Sequence, residues 1–391
     1  MKLSTRGLLA ATLLPFALAV ALASFWSLRS EERLQDALAM AARAGMPGRL
    51  EEVPAWLDER FGPLDPGDNG GPLVLEALDM LRGRSLSDLD WEQAAPLDLP
   101  PIDAESRATV SGLEGAVDLL RQGLAMPRFR LVQDWEEGIG RTEPPAIRFL
   151  TMSRLLEHRV VLGLEAGEGP GEPFLDDLEL LVRLPETLTE EPTQVAWTLR
   201  LLLLRRSSEL LRHLADRGLE PALLRDLLPD PPEANSLHLA VTEAAGACSV
   251  HDFLLADARK GSQASLPVKD LPYLGALGLL GPVLRHDLAS ILETQVQLYA
   301  LRHLPAQEAL EQAAELLRAM EPGENDPTRV LSRLVATDLG ARLRTEHDAL
   351  GCLEITREGL DQLIAWHESP PATSEPRTIG EGAEAWTVEP R

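Results

Sequence analysis

Cysteine is nearly absent from this chain: 391 residues contain only Cys248 and Cys352. Two cysteines make no disulfide framework, and they form no CxxC pair for zinc or redox chemistry. They read as two small buried apolar residues, with a single disulfide as the alternative if the domain lies outside the cytoplasm. Aromatic residues are scarce at 4%. Sheets favour β-branched and aromatic side chains, so a core built from leucine and alanine points to helices. Positive charge is also short: 37 Lys and Arg stand against 62 Asp and Glu, a net charge of −25. Such a surface repels phosphate backbones, which argues against nucleic acid as a partner. The familiar chemical signatures are missing too. GxxxxGK[ST], GxSxG, HExxH and an EF-hand loop do not occur. GEGPGEP follows a helical pattern rather than a strand, and Pro170 lacks an N–H, so it reads as a turn.

Hydrophobic residues make up 45% of the chain, enough for a real core. The longest uncharged apolar run is at the N-terminus. Lys2 and Arg6 precede 22 residues without a charge, Gly7–Leu28. That length crosses a bilayer as a helix, and the positive flank keeps its start cytoplasmic. Residues 1–29 are therefore expected to be a signal-anchor or transmembrane helix, with Trp26 at the interface. Cleavage after Ala21-Leu22-Ala23 is the competing outcome. The uncleaved anchor is favoured because the apolar run continues past that site. No cysteine lies near it for a lipoprotein anchor.

Residues 30–143 read as a helical stalk followed by a Pro/Gly-rich part. Ser30 can cap SEERLQDALAMAARAG, which Gly45 ends. An amphipathic piece at Val53–Phe61 precedes GPLDPGDNGGP, a loop by composition. Helices are expected at Leu73–Leu81 and Ser106–Leu124. Residues 144–368 read as an α-helical, repeat-like core, with helices at Ile147–Leu164, Phe174–Leu184, Pro221–Leu228, Glu233–Arg259, His286–Leu304, Pro305–Met320 and Pro327–Glu368. Its centre is EEPTQVAWTLRLLLLRRSSELLRHLADRG, with Pro192 expected in the first turn and Gly218 at the stop. Val195, Leu199, Leu202, Leu203 and Leu210 form a stripe that Trp197, Leu201 and Leu204 widen, as in a helix buried on most sides. Leu271–Leu284 is apolar but broken by glycine and proline. It reads as buried loop and helix in preference to a membrane re-entry. Residues 369–391 are expected to be a mobile tail, with Trp386–Val388 docking as a short strand.

Ile147–Leu184, with helix, glycine-bearing turn, LxxLELLVRL and Pro185, resembles a degenerate tetratricopeptide hairpin. A wider resemblance covers most of the chain. Its carriers are the N-terminal anchor, Arg43-Ala44-Gly45-Met46-Pro47, Pro66-Gly67-Asp68-Asn69, the helix pair of Ile147–Leu184, Glu191-Pro192 and Leu237–Glu243. With them the chain resembles a large group of uncharacterised, membrane-anchored helical proteins of bacteria. Members often close on a secretion-pseudopilin-like segment, to which TIGEG and AWTV are similar. The resemblance implies an all-α, helical-hairpin or solenoid-like array on the outer face of the inner membrane, and it assigns no activity.

His251-Asp252, His286-Asp287 and His347-Asp348 resemble the His-Asp pairs of HD-type metal phosphohydrolases, and His213, His251, Asp252 and Asp287 can be imagined as a ligand set. None of the pairs has a surrounding motif, so they read as ordinary helix residues. His158 and His213 read as core-edge histidines. Arg200, Arg205, Arg206 and Arg212 can grip an anion, but Glu209 offers helix-surface pairing. Asp176, Asp177 and Glu179 read as the solvated side of Phe174–Leu184 rather than a cation site. No residue is assigned as catalytic, cofactor-binding or metal-ligating, and no cofactor is expected. The expected role is a scaffold or interaction module for a protein partner, on the membrane or released to the periplasm. A helical metal hydrolase and a structural envelope component are the alternatives.

Overall fold

The computed structural model describes residues 5–91, 98–132, 134–135, 137, 144–167, 172–229, 239–260, 280–304, 308–309, 311–313, 315–316, 339–369, 375–380 and 385–389. Side chains 5–23, 172, 239, 253–260, 280, 302, 339–344 and 347 lie outside that description. The chain is mostly helical, as the leucine-rich and aromatic-poor composition demands. In order it forms α1 (Thr5–Arg43), α2 (Val53–Phe61), α3 (Gly71–Met80), α4 (Ala104–Ser111), α5 (Glu114–Leu124), α6 (Ala146–Glu165), α7 (Glu172–Arg183), α8 (Gln194–Asp216) and α9 (Pro221–Leu227). Next come α10 (Leu239–Lys260), α11 (Leu280–Ala300) and α12 (Leu339–Glu368). The strands β1 (Arg377–Ile379) and β2 (Trp386–Val388) close it as an antiparallel pair, with Ile379 opposite Trp386.

The polypeptide divides into two compact units, each made of separated stretches. Unit 1 comprises residues 1–56, 135–141 and 237–340, and unit 2 residues 57–134, 142–236 and 341–391. The four consecutive segments expected from the sequence are thus cut across, because helices pair by apolar face and not by order in the chain. In unit 1, α11 packs on both α1 and α10. In unit 2 a continuous apolar cluster joins α3, α5, α6, α7 and α8 to α12 and the β-hairpin. Among the described residues no helix is long and apolar enough to cross a membrane. Of the N-terminal run Gly7–Leu28, the side chains up to residue 23 fall outside that set.

Several local expectations are corrected. Ser30 is not a cap: α1 runs through it without a break, as a stalk continuing the N-terminal helix does, and its hydroxyl donates to the Ser27 carbonyl at 2.9 Å. The expected helix Ser106–Leu124 is two helices, α4 and α5, separated at Gly112-Leu113. α7 ends at Arg183, just before Pro185, and a 3-10 turn, Leu184–Leu188, takes the proline near its first position, where no N–H is needed. Pro192 lies before α8, not within it. Thr193 is the cap, accepting the Ala196 N–H at 3.2 Å. The stop at Gly218 has φ 90°, the left-handed conformation that glycine tolerates. The expected helix at Glu233–Arg259 is described from Leu239. Residues 271–279, 317–320 and 327–338 of the other expected helices lie outside the described residues.

Two positions on the α8 stripe are also corrected. Val195 and Leu202 are 37% and 43% exposed. Leu199, Leu203 and Leu210 lie in the apolar cluster, and Trp197, Leu201 and Leu204 are buried. The expected short strand Trp386–Val388 is present, and what is corrected is the tail around it: Trp386 is 5% exposed, its Nε1–H donates to Asp216 at 3.1 Å, and its ring lies over Gly359. A Cβ at Gly359 would sit 2.1 Å from that ring, so the hairpin seats only on a residue without a side chain.

Candidate functional cleft

Unit 2 carries a cleft of about 790 Å³. One wall is α3, with Pro72, Leu75, Glu76 and Asp79, followed by Arg82. The opposite wall is the extended segment Leu131, Val132 and Asp134, and the end is formed by Pro144, Pro145 and Arg148 at the start of α6. Leucine and valine supply an apolar floor, while carboxylates and guanidiniums form the rim. Asp79 is the rim's centre, pairing with Arg148 and lying 3.5 Å from Arg82. The described lining offers no histidine, cysteine, hydroxyl or lysine, so a nucleophile with its base is not assembled there.

The loop before α3 holds the two walls together. Asn69 accepts the N–H groups of Gly71 (3.0 Å) and Arg130 (2.9 Å), and its amide donates to the Arg130 carbonyl (3.2 Å). Gly70 and Gly71 follow because the backbones close up completely. An added Cβ would lie 2.3 Å from the Gly123 carbonyl oxygen at the first and 2.3 Å from that of Arg130 at the second. The far wall is fixed from behind by Glu191, which accepts the N–H groups of Leu131 and of Val132 (3.0 Å for the latter). Its neighbour Glu190 is clasped by Arg128, with Nη2 at 2.7 Å, and by Arg130 Nε at 3.2 Å. Arg130 also reaches Asp58 at 2.6 Å. Pro66-Gly67-Asp68-Asn69 and Glu191-Pro192 are thus the structural frame of this cleft. Sequence inspection picked out those frame residues and missed the lining. The available signals were prolines at the starts of α3 and α6, and Ile147, which lies off the Phe149–Met152–Leu156–Val160 face. Ile147 is 81% exposed.

The residues singled out from the sequence are distributed differently. His213 belongs to unit 2, and His251, Asp252 and Asp287 to unit 1. Among the described residues no group of three or more His, Cys, Asp or Glu is placed to hold a metal ion. His251 is buried, 3.1 Å from Asp252, and burial lowers its pKa. His286 accompanies Arg33 at 3.1 Å. The side chain of His347 lies outside the described residues, and Asp348 is exposed. His158 is buried, with Nδ1 2.8 Å from the Arg154 carbonyl. His213 stacks on Trp91 at 5.2 Å while Arg217 covers the same indole at 4.8 Å. Burial, aided by Arg217, lowers His213 to about 4.

The arginines of α8 do not converge on an anion. Arg205 pairs with Glu209 at 2.9 Å, as the spacing implies. Arg206 reaches Glu157 on α6 and Asp88 at 2.7 Å. Arg212 turns to α12, donating to the Cys352 carbonyl and the Thr356 hydroxyl, both at 2.6 Å. Arg200 lies 5.7 Å from the Trp197 ring, and burial lowers it to about 10. The Arg200 Nε and Trp197 Nε1 groups are buried without a hydrogen-bond partner among the described residues. Asp177 is corrected. It is buried, not solvated, and accepts from Arg159 at 2.9 Å; burial raises its pKa. Asp176 is exposed and Glu179 pairs with Arg183. Cys248 and Cys352 are buried thiols not joined by a disulfide, and burial pushes the Cys248 thiol up to about 12, far from a reactive thiolate. Comparison of the chain with protein families, with characterised proteins and with solved structures finds no match.

Proposed function

We propose that the chain is a binding module, anchored by residues 1–29 on the outer face of a bacterial cytoplasmic membrane, whose unit 2 holds an extended segment of a partner protein. The cleft between α3, Leu131–Asp134 and the start of α6 is the observation that carries this reading. It combines an apolar floor with a charged rim, the usual chemistry of a peptide-sized site. Its volume of about 790 Å³ takes a few side chains, not a whole domain. Exposed Ile147 and Met80 adjoin lining residues in sequence. The packed pair α6 and α7 supports the finer reading of a hairpin in a solenoid-like array. Release to the periplasm after cleavage is the alternative location.

The test is site-specific photocrosslinking in native membranes. A benzophenone side chain at Ile147 should yield one discrete adduct that is lost when Leu75→Arg fills the cleft. The same probe at Leu202, exposed on α8, should yield none. No adduct from Ile147, Glu76 or Arg82 would reject the cleft as a docking site.

A further inference from the structure

Helix α8 carries Arg200, Arg205, Arg206 and Arg212, and the last three are satisfied within the protein. Arg205 has Glu209, Arg206 has Glu157 and Asp88, and Arg212 has Cys352 and Thr356. Arg200 is the exception. Among the described residues it makes no ion pair, and its Nε–H is buried without an acceptor. Carboxylates are not in short supply, since 62 Asp and Glu face 37 Lys and Arg. Glu186 and Glu346 act on Arg200 only from beyond ion-pair distance, and Glu186 pairs instead with Arg183 at 3.2 Å. Burial outweighs both carboxylates and lowers Arg200 to about 10, so its surroundings still lack negative charge. One turn earlier stands a second orphan. Trp197 is 5% exposed, and its Nε1–H is also buried without an acceptor among the described residues. Residues three apart share a helix face, and the Arg200 guanidinium lies 5.7 Å from the centre of the Trp197 ring. A buried donor left unmet is costly and rare, and here two occur on one turn of one helix. Trp197, Arg200, Glu186 and Glu346 all belong to unit 2.

We propose that Arg200 and Trp197 form a binding site for the carboxylate of a ligand, with the guanidinium and the indole N–H donating to its oxygens. Neither residue lines the cleft, so the site stands without the cleft reading. The chemistry selects the class. A planar carboxylate matches the guanidinium fork and keeps lone pairs for a further donor. Its single negative charge supplies what burial leaves uncompensated. A phosphate dianion would meet one cation with Glu186 and Glu346 close by, and like charge disfavours it. A neutral carbonyl would satisfy the donors and leave the buried charge unpaired. Arg200 retains partial exposure, which gives the ligand a side from which to enter. The carboxylate is that of a small organic acid or of a peptide's chain end.

The experiment titrates the detergent-solubilised full chain with sodium acetate at neutral pH, with sodium chloride holding the ionic strength constant, and follows thermal unfolding. Acetate should raise the Tm along a saturating curve, by about 2–4 °C once it exceeds its dissociation constant tenfold. Arg200→Met should lose that response. Trp197→Phe keeps most of the packing and removes only the N–H, so it should need about tenfold more acetate for the same rise. An acetate response in Arg200→Met equal to that of wild type would overturn the proposal, and so would a larger rise with sulfate than with acetate. N-acetylglycine identifies the source: binding tighter than acetate assigns a peptide's end, and weaker binding assigns a small acid. A second measurement does not depend on the stability of the Arg200 variant. The indole N–H resonance that is absent from the NMR spectrum of Trp197→Phe should shift in wild type as acetate is added. A resonance that does not move would overturn the proposal and leave water as the acceptor of both donors.

Discussion

Replacing Trp386 by alanine should destabilise unit 2 by about 3–5 kcal/mol, because the indole fills space that the ridge around Gly359 cannot reclaim. The ring is 5% exposed and also loses its bond to Asp216. Trp197→Ala should cost a similar amount, since Trp197 is equally buried at 5%. Thermal unfolding of the detergent-solubilised chain compares them, and a negligible effect for Trp386 would mean that the hairpin is not seated in solution. His213 gives a pH dependence of known sign. Its folded pKa, about 4, is below the ordinary histidine value. The unfolded state takes the proton first, so the stability from neutral His213 is complete above about pH 6.5 and is lost as pH falls toward about 4. Partial solvent access limits the effect to about 1–2 kcal/mol. Wild type should lose this much more than His213→Gln between pH 7 and 4.5, measured by urea unfolding.

At the scale of the element, the segment Arg128–Val132 has no regular secondary structure of its own and is held by two adjacent carboxylates. Glu190→Ala leaves Arg128 and Arg130 without their shared buried partner and should cost about 3–5 kcal/mol. Asp58→Ala should cost under about 1 kcal/mol, because the Asp58 side chain is 46% exposed and Arg130 retains Glu190. Similar losses in the two variants, in chemical denaturation, would show that Glu190 is not the clasp. This part of the frame was only partly legible beforehand. Glycine and proline in PGDNGG announce a turn, because their backbone preferences are local. Which carboxylate meets which arginine depends on chain segments some sixty residues apart, and no local spacing encodes that.

The whole molecule is expected to present everything after Ser30 outside the cytoplasm. A fluorescent reporter that matures only in the cytoplasm, fused after Arg391, should remain dark, and a periplasm-dependent phosphatase should be active at the same position. The opposite pattern would reject the topology. A mature N-terminus at Ser24, read by mass spectrometry, would replace the anchor by a cleaved signal.

Composition and periodicity alone determined the helical class, the position of α2 and the interiors of α3, α6, α7 and α8, because the chain's leucines recur at helical spacing, a positive-φ glycine follows α2, α3, α6 and α8, and Pro185 follows α7. The same information misjudged Val195, Leu202 and Asp177, and it placed the Trp386 strand without its burial. Burial of a side chain is settled by what packs over it, and α8 is apolar around so much of its circumference that its own pattern cannot name the open face. The tertiary structure alone decided that residues 341–391 join residues 57–134 and 142–236 in one unit, and that α11 packs on both α1 and α10. Both follow from matching of surfaces distant in sequence, where apolar area and buried charge are satisfied jointly by segments that carry no mark of one another.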